Sequence, residues 1–285
     1  MRIRKYMKLL KITTILSLAA SALTGCTDYP IYDIMHPSYR KFVSLTTDWT
    51  NRGSGIEIPA SYTVKVGDYS TTLSGITNSA ENLFAEGQHI IHIWNTADNI
   101  TVSGMTATAD YMSGDLGWFF TGIQEIAIEK DRDYSIIVPM QQQVRQLTLE
   151  LDVTGDAKDR LIGICATLSG VAGTLNIDNG MHGTPSIITL TFAEDTSDGK
   201  WKVTVRLLGI TGNSQILTLN LHFADSNPSS CTLSSDLSSL FATFNADKKT
   251  PFTLSALLVE TPSGAGYITT ITDWIHGKTS VGTAD

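Results

Sequence analysis

Strict alternation of apolar and polar residues recurs along this chain. A period of two is the signature of strands that bury one face and wet the other. In QLTLELDV, Leu147, Leu149, Leu151 and Val153 point one way, and Thr148, Glu150 and Asp152 the other. WKVTVRLLG repeats the pattern with Trp201, Val203, Val205 and Leu207, and ILTLNLHF with Leu217, Leu219, Leu221 and Phe223. YTVKV, HIIHIW, QEIAIE, DYSIIVPM and SIITLTF are further segments of this kind. Turn-forming clusters separate them: VGDYS, NTADN, EKDRD, VTGD, TSDGK and ITGNS. Many short strands with regular turns predict an all-β chain built of β-sandwiches.

One segment breaks the period. In SDLSSLFATFNAD, Leu237, Leu240, Phe241 and Phe244 fall at i, i+3, i+4 and i+7, which predicts one short amphipathic helix with Ser235 or Asp236 as N-cap. In LIGICATL, a strand puts Ile162, Ile164, Ala166 and Leu168 on one face and Cys165 on the other. SGVAGTL, Ser169–Leu175, reads as a tight β-turn, since it lacks the Lys-Ser/Thr of a phosphate loop. Pro139 ends a strand, and the polar triplet Gln141–Gln143 precedes the alternation from Leu147, which sets a domain boundary near residue 142. The expected organisation is 39–142 and 143–276 as two sandwiches, with a polar tail over 277–285.

The N-terminus is of another kind. MRIRKYMKLLK carries Arg2, Arg4, Lys5, Lys8 and Lys11 and no acid, and ITTILSLAASAL follows as a short apolar run. A basic start, a short apolar core and small residues make a secretory signal peptide, here residues 1–25. The run is too short for a comfortable membrane span. LTGC, Leu23 to Cys26, resembles the bacterial lipobox, which implies cleavage between Gly25 and Cys26 and acylation of Cys26. Residues 26–38 then form a lipidated tether. Removing residues 1–25 takes away five bases and no acid, so the net charge moves from −8 to −13. Such an acidic chain does not suit phosphate backbones, so no nucleic-acid partner is expected. Cys165 and Cys231 remain, either as separate thiols or as one disulfide of an oxidising compartment.

Chemistry-bearing motifs are scarce. The chain has no G-x-S-x-G, H-E-x-x-H or C-x-x-C, so no catalytic residue, cofactor or enzymatic activity is expected. His89 and His92 in HIIHIW lie three apart, which on a strand sends them to opposite faces and argues against a shared metal. DLGWFFTG groups Trp118, Phe119 and Phe120; Trp118 and Phe119 are candidates for stacking on sugar rings, or else a core plug. Exposure of Trp94, Trp118 or Trp201 on a flat platform would favour a glycan-binding lipoprotein, and their burial would count against it. TNRGSG offers Arg52–Gly53 as a protease-sensitive bond in a loop, with Arg40 a second candidate.

Four stretches carry a family likeness: NLFAEGQHIIHIWNTADNI, GWFFTGIQEIAIEKDRDYSIIVPMQQQVRQLTLELDVTGD, ATLSGVAGTLNID and DLSSLFATFNADKKTPFTLSALLVETP. In their order and spacing, with the lipobox, the chain resembles the minor, anchor-type subunits of type V fimbriae, fimbrillin-like lipoproteins of anaerobic Gram-negative bacteria. The resemblance implies two tandem transthyretin-like β-sandwich domains, the short helix falling in the second. It implies export to the outer membrane, a lipid anchor in the bilayer through Cys26, and a place at the base of a fimbria. It implies fimbrial subunits as partners, joined by strand donation, in which a segment of one subunit completes the sheet of another. Stalk subunits of this type are cut after an arginine and lose their lipid. A cut after Arg52 would therefore imply a polymerising or tip subunit. The anchor is the expected role, because GKTSVGTAD is too polar to serve as a donor strand.

Overall fold

The computed structural model describes residues 43–80, 86–129, 132–225, 228–263 and 266–277. The signal peptide, the tether with Gly25 and Cys26, Arg40 and the tail beyond Gly277 lie outside the described residues.

The described fold opens with Val43–Asp48, the central strand of a three-stranded sheet. It runs antiparallel to Thr77–Ala80 and parallel to Tyr134–Pro139. A five-stranded sheet follows in the order Gln141–Gln142, Phe120–Ile128, Gly87–Trp94, Ser61–Val66, Tyr69–Ser74. Burial alternates residue by residue along Ser61–Val66, as its sequence requires. The inward residues Leu45, Ile136 and Val138 of the first sheet and Tyr62, Val64, Ile91 and Ile93 of the second pack into one core with Trp49, Phe120 and Met140. Each such aliphatic side chain, removed from water, contributes about 1.5–3 kcal/mol.

The second half of the chain forms a longer path: Ser230–Asp236, Ile216–Phe223, Leu161–Asn176, His182–Asp195, Lys200–Leu207, Arg145–Gly155, Phe252–Ser263 and Gly266–Ile271. His182–Asp195 pairs with Leu161–Asn176 over most of its length and changes partner to Lys200–Leu207 at Ala193–Asp195. Ile164, Leu168, Leu219 and Leu221 from one stretch of the path meet Leu147, Leu149, Leu254 and Leu258 from the other in a single core. All four apolar residues of the QLTLELDV stripe are buried. The pairing of the strand Val43–Asp48 recurs: Arg145–Gly155 is antiparallel to Lys200–Leu207 and parallel to Phe252–Ser263.

A hairpin from the first half, Ile100–Ser103 with Thr106–Ala109, crosses over to extend the second. Thr106, Ala107 and Thr108 pair with Asn176, Leu175 and Thr174. A separate core of Ile100, Ala107, Leu116, Phe119, Val144, Leu175, Ile177 and Leu208 forms beneath this crossing. The hairpin lies well before residue 142, and periodicity within short strands carries no information about which sheet they join.

Three local expectations change. Ile162 does not share a face with Ile164: a register shift between Leu161 and Gly163 turns it outward, and it is 64% exposed. SGVAGTL is not a turn but the middle of the 16-residue strand Leu161–Asn176, bulged between Leu168 and Val171. Gly170 there takes φ +72°, and a Cβ on it would stand 2.3 Å from the Ser214 carbonyl oxygen, so the bulge needs glycine. The helix is a single turn, Ser238–Phe241, with Leu237 at its N-cap position. Asp236 accepts the Ser238 backbone N–H from just outside, while Leu237, Phe241 and Phe244 go into the core. A second turn of helix, Ala157–Arg160, is too short to have shown any periodicity.

Candidate functional site

The residues singled out by sequence do not form one constellation. Phe119 is wholly buried in the core beneath the crossing hairpin, leaving no face for a sugar ring. Trp118 is half-buried between two cores, with the Arg206 guanidinium 5.4 Å from its ring centre. Trp94 and Trp201 are likewise half-buried and packed against core residues, and Trp49 and Trp274 are buried. Among the described residues, therefore, no tryptophan makes an open platform. His92 pairs with Asp178 at 2.8 Å. No group of three or more metal-ligating side chains occurs among the described residues. Cys165 is exposed and Cys231 half-buried, both as free thiols. No described helix is long and apolar enough to cross a membrane.

What the structure does bring together is the strand Val43–Asp48, the turn after it and the seam between the two halves. The strand is held on both sides, and Leu45 and Thr47 point into the core with 2% and 1% exposure. Thr47 donates its N–H to the Ile76 carbonyl at 2.9 Å, and Met140 donates to the Asp48 carbonyl at 2.8 Å. Trp49 closes the strand: its indole N–H donates to Thr47 Oγ1 at 2.9 Å, and its ring meets Phe120 edge-on at 5.3 Å.

Arg52 follows on an exposed turn, but its side chain folds back. Nε donates to the Ile56 carbonyl at 2.9 Å, and a terminal nitrogen donates to the Trp49 carbonyl at 3.1 Å. Gly53 is buried, and its N–H donates to Gln142 Oε1 at 2.8 Å. Gln142, 5% exposed, uses its amide nitrogen to donate to the carbonyls of Val144 at 2.8 Å and Lys248 at 2.6 Å. One side chain thereby ties the turn after the first strand to a loop of the second half.

Charged groups surround this clasp. Lys248 Nζ donates to Gln143 Oε1 at 2.7 Å and lies 3.3 Å from His182 Nε2. Burial lowers the Lys248 ammonium to about 8. Burial, and then the Lys248 charge, lowers His182 to about 4, against the pull of the Leu208 carbonyl 3.2 Å away. Arg145 donates to the carbonyls of Thr250 and Phe244, each at 2.7 Å, with the Phe244 and Phe252 rings 5.1 and 4.8 Å from its guanidinium carbon. A cleft of about 210 Å³ opens here, lined by Asn51, Gln141, Gln142, Gln143, Asn245 and Lys248 among others. Gln142 and Asn245 bond to backbone, and Gln143 donates to Thr121 Oγ1 and accepts from Lys248, so the arrangement is suited to holding two parts of the chain in register and offers no reacting centre. Sequence reading placed Gln142 at a boundary but gave it no role, because its partners lie 89 and 106 residues away.

Similar folds are known. A candidate adhesin from Bacteroides ovatus superposes with a TM-score of 0.61 at 12% identity, covering 84% of this chain and 96% of that one. The fimbrial anchor protein Mfa2 from Porphyromonas gingivalis gives 0.54 at 10% identity, covering 84% and 100%. A candidate polysaccharide-binding protein from Bacteroides thetaiotaomicron gives 0.52 at 10%, covering 81% and 97%. At these identities the likeness is one of fold. No curated protein matches the chain in sequence. Residues 44–277 match the sequence profile of the fimbrillin-A associated anchor proteins Mfa1 and Mfa2, which takes in nearly all of the described fold. The chain belongs to that family of non-enzymatic fimbrial anchor proteins.

Proposed function

We propose that this chain is a lipid-anchored base of a fimbria, held in the outer membrane by acyl chains on Cys26 after cleavage at Gly25. The observation that carries the reading is the first described strand. Val43–Asp48 is integral to its sheet, with neighbours on both sides, so a cut after Arg52 that released it would cost the sheet its central strand, which supports a chain left uncut there and joined to Cys26. Two lipid attachments hold a protein stably, since each buried methylene adds about 0.8 kcal/mol. The repeated pairing of an opening strand, antiparallel to one neighbour and parallel to the half's late strand, supports the tandem transthyretin-like arrangement. Other fimbrial subunits are the partners, taken up by strand donation, a mode in which main-chain hydrogen bonds give affinity. The B. thetaiotaomicron neighbour's name suggests a glycan-binding role instead, but the packed tryptophans of this chain count against it.

The test is mass spectrometry of the mature N-terminus in membrane and sheared-fimbria fractions. Acylated Cys26 confined to the membrane fraction is the expected result. A free N-terminus at Gly53 or Lys41, abundant in sheared fimbriae, would make the chain a polymerising subunit. A Cys26 without acyl chains would remove the anchor altogether.

A further inference from the structure

We infer that the Gln142 clasp keeps the Arg52–Gly53 bond closed to arginine-specific endoproteases, so that the strand Val43–Asp48 is lost only when the seam between the halves opens. Endoproteases bind their substrates as extended strands, with the recognised side chain free to enter a pocket. Here neither condition holds. Arg52 donates its own N–H to the Trp49 carbonyl at 3.3 Å, and Ile56 donates to the Gly53 carbonyl at 3.3 Å, so the bond lies between two tight turns. The guanidinium is already engaged with two backbone carbonyls. The N–H of the bond itself belongs to Gln142, which is fixed in turn by Val144 and Lys248. The site is also tight: a Cβ on Gly53 would stand 2.8 Å from the Lys249 carbonyl oxygen and 3.3 Å from Gln142 Oε1.

The turn is thus exposed at Arg52 but committed at Gly53. To present the bond, the loop must leave the clasp, and the cleavage rate then follows the population of the opened loop. Weakening the clasp raises that population without touching the arginine. The inference concerns the protease and the clasp alone and does not depend on lipid at Cys26.

The experiment is limited trypsinolysis of the full chain in mild detergent, with each cut located by mass spectrometry. Arg132, whose side chain is 65% exposed, supplies an internal reference. In the unmodified protein, cleavage after Arg132 should outpace cleavage after Arg52 by about tenfold or more. Gln142→Ala should raise the Arg52 rate about tenfold relative to Arg132 in the same sample. Should that variant fail to fold, hydrogen exchange of the Gly53 amide in the unmodified protein gives the same information: protection comparable to core strands is expected. Equal rates after Arg52 and Arg132, an unchanged Arg52 rate in folded Gln142→Ala, or fast exchange at Gly53 would each overturn the inference.

Discussion

Replacing Arg145 by alanine should destabilise the second half by about 4 kcal/mol. The side chain is 7% exposed and lies between Phe244 and Phe252. It makes two charge-assisted hydrogen bonds to backbone carbonyls, at Thr250 and Phe244. Each such bond contributes about 1.5–3 kcal/mol, and the contact with the two rings about 0.5–2. These terms share one side chain and are not additive, which brings the sum down to about 4. Burial lowers the guanidinium's pKa, and Asp247 opposes that fall, so the charge is held at some cost and truncation recovers part of it. The assay is guanidinium unfolding followed by tryptophan fluorescence, with the slope unchanged and the midpoint lowered. In a melt, the same loss is roughly 10 °C for a fold of this size. Arg145→Met, which keeps the bulk but not the donors, should lose more than half as much. An Arg145→Ala protein within about 1 kcal/mol of the parent, or an Arg145→Met protein as stable as the parent, would refute the assignment of these carbonyls to the guanidinium.

Two further outcomes follow from the seam and the thiols. His182 sits near 4 in the fold against an ordinary 6.5, so it folds uncharged. Its contribution to stability is complete above 6.5 and is lost as pH falls toward 4, because the unfolded chain takes the proton first. Unfolding midpoints of the parent and His182→Gln should therefore converge between neutral pH and about pH 4.5, and parallel curves would contradict this. Iodoacetamide should modify the exposed Cys165 without prior reduction and react more slowly at Cys231, whose thiol is pushed up by burial. Resistance of both to alkylation until reduction would reveal a disulfide instead.

The strands were legible wherever one face is buried and the register is regular. Leu147 to Val153 and Leu217 to Phe223 alternate in sequence and in burial alike. The period failed where a bulge interrupts it, as at Ile162, because one extra residue reverses every later side chain without any mark in composition. Gly170 and Gly173 suggested a turn, yet glycine serves equally at a bulge inside a strand. The apolar spacing over Leu237 to Phe244 found the right core residues although only one helical turn forms. The seam was beyond reach of the sequence: Gln142 bonds to residues far along the chain on both sides, and its amide reads as an ordinary polar boundary residue. Phe119 and Trp118 differ in exposure though adjacent, as neighbours on an irregular segment have no fixed alternation.

The parallel ladders also set how the protein takes a load. Val43–Asp48 and Tyr134–Pro139 run in the same direction and match residue for residue, from Val43 with Tyr134 to Asp48 with Pro139. A pull that enters at Val43 and leaves past Pro139 therefore drags the two strands lengthwise in opposite senses. Every rung is strained together, and none is unzipped first. The chain passes straight on into Arg145–Gly155, which stands in the same relation to Phe252–Ser263, from Leu147 with Phe252 to Gly155 with Glu260. Tension drawn along the backbone meets two clamps in series, both in shear, the geometry in which hydrogen-bonded strands resist extension best.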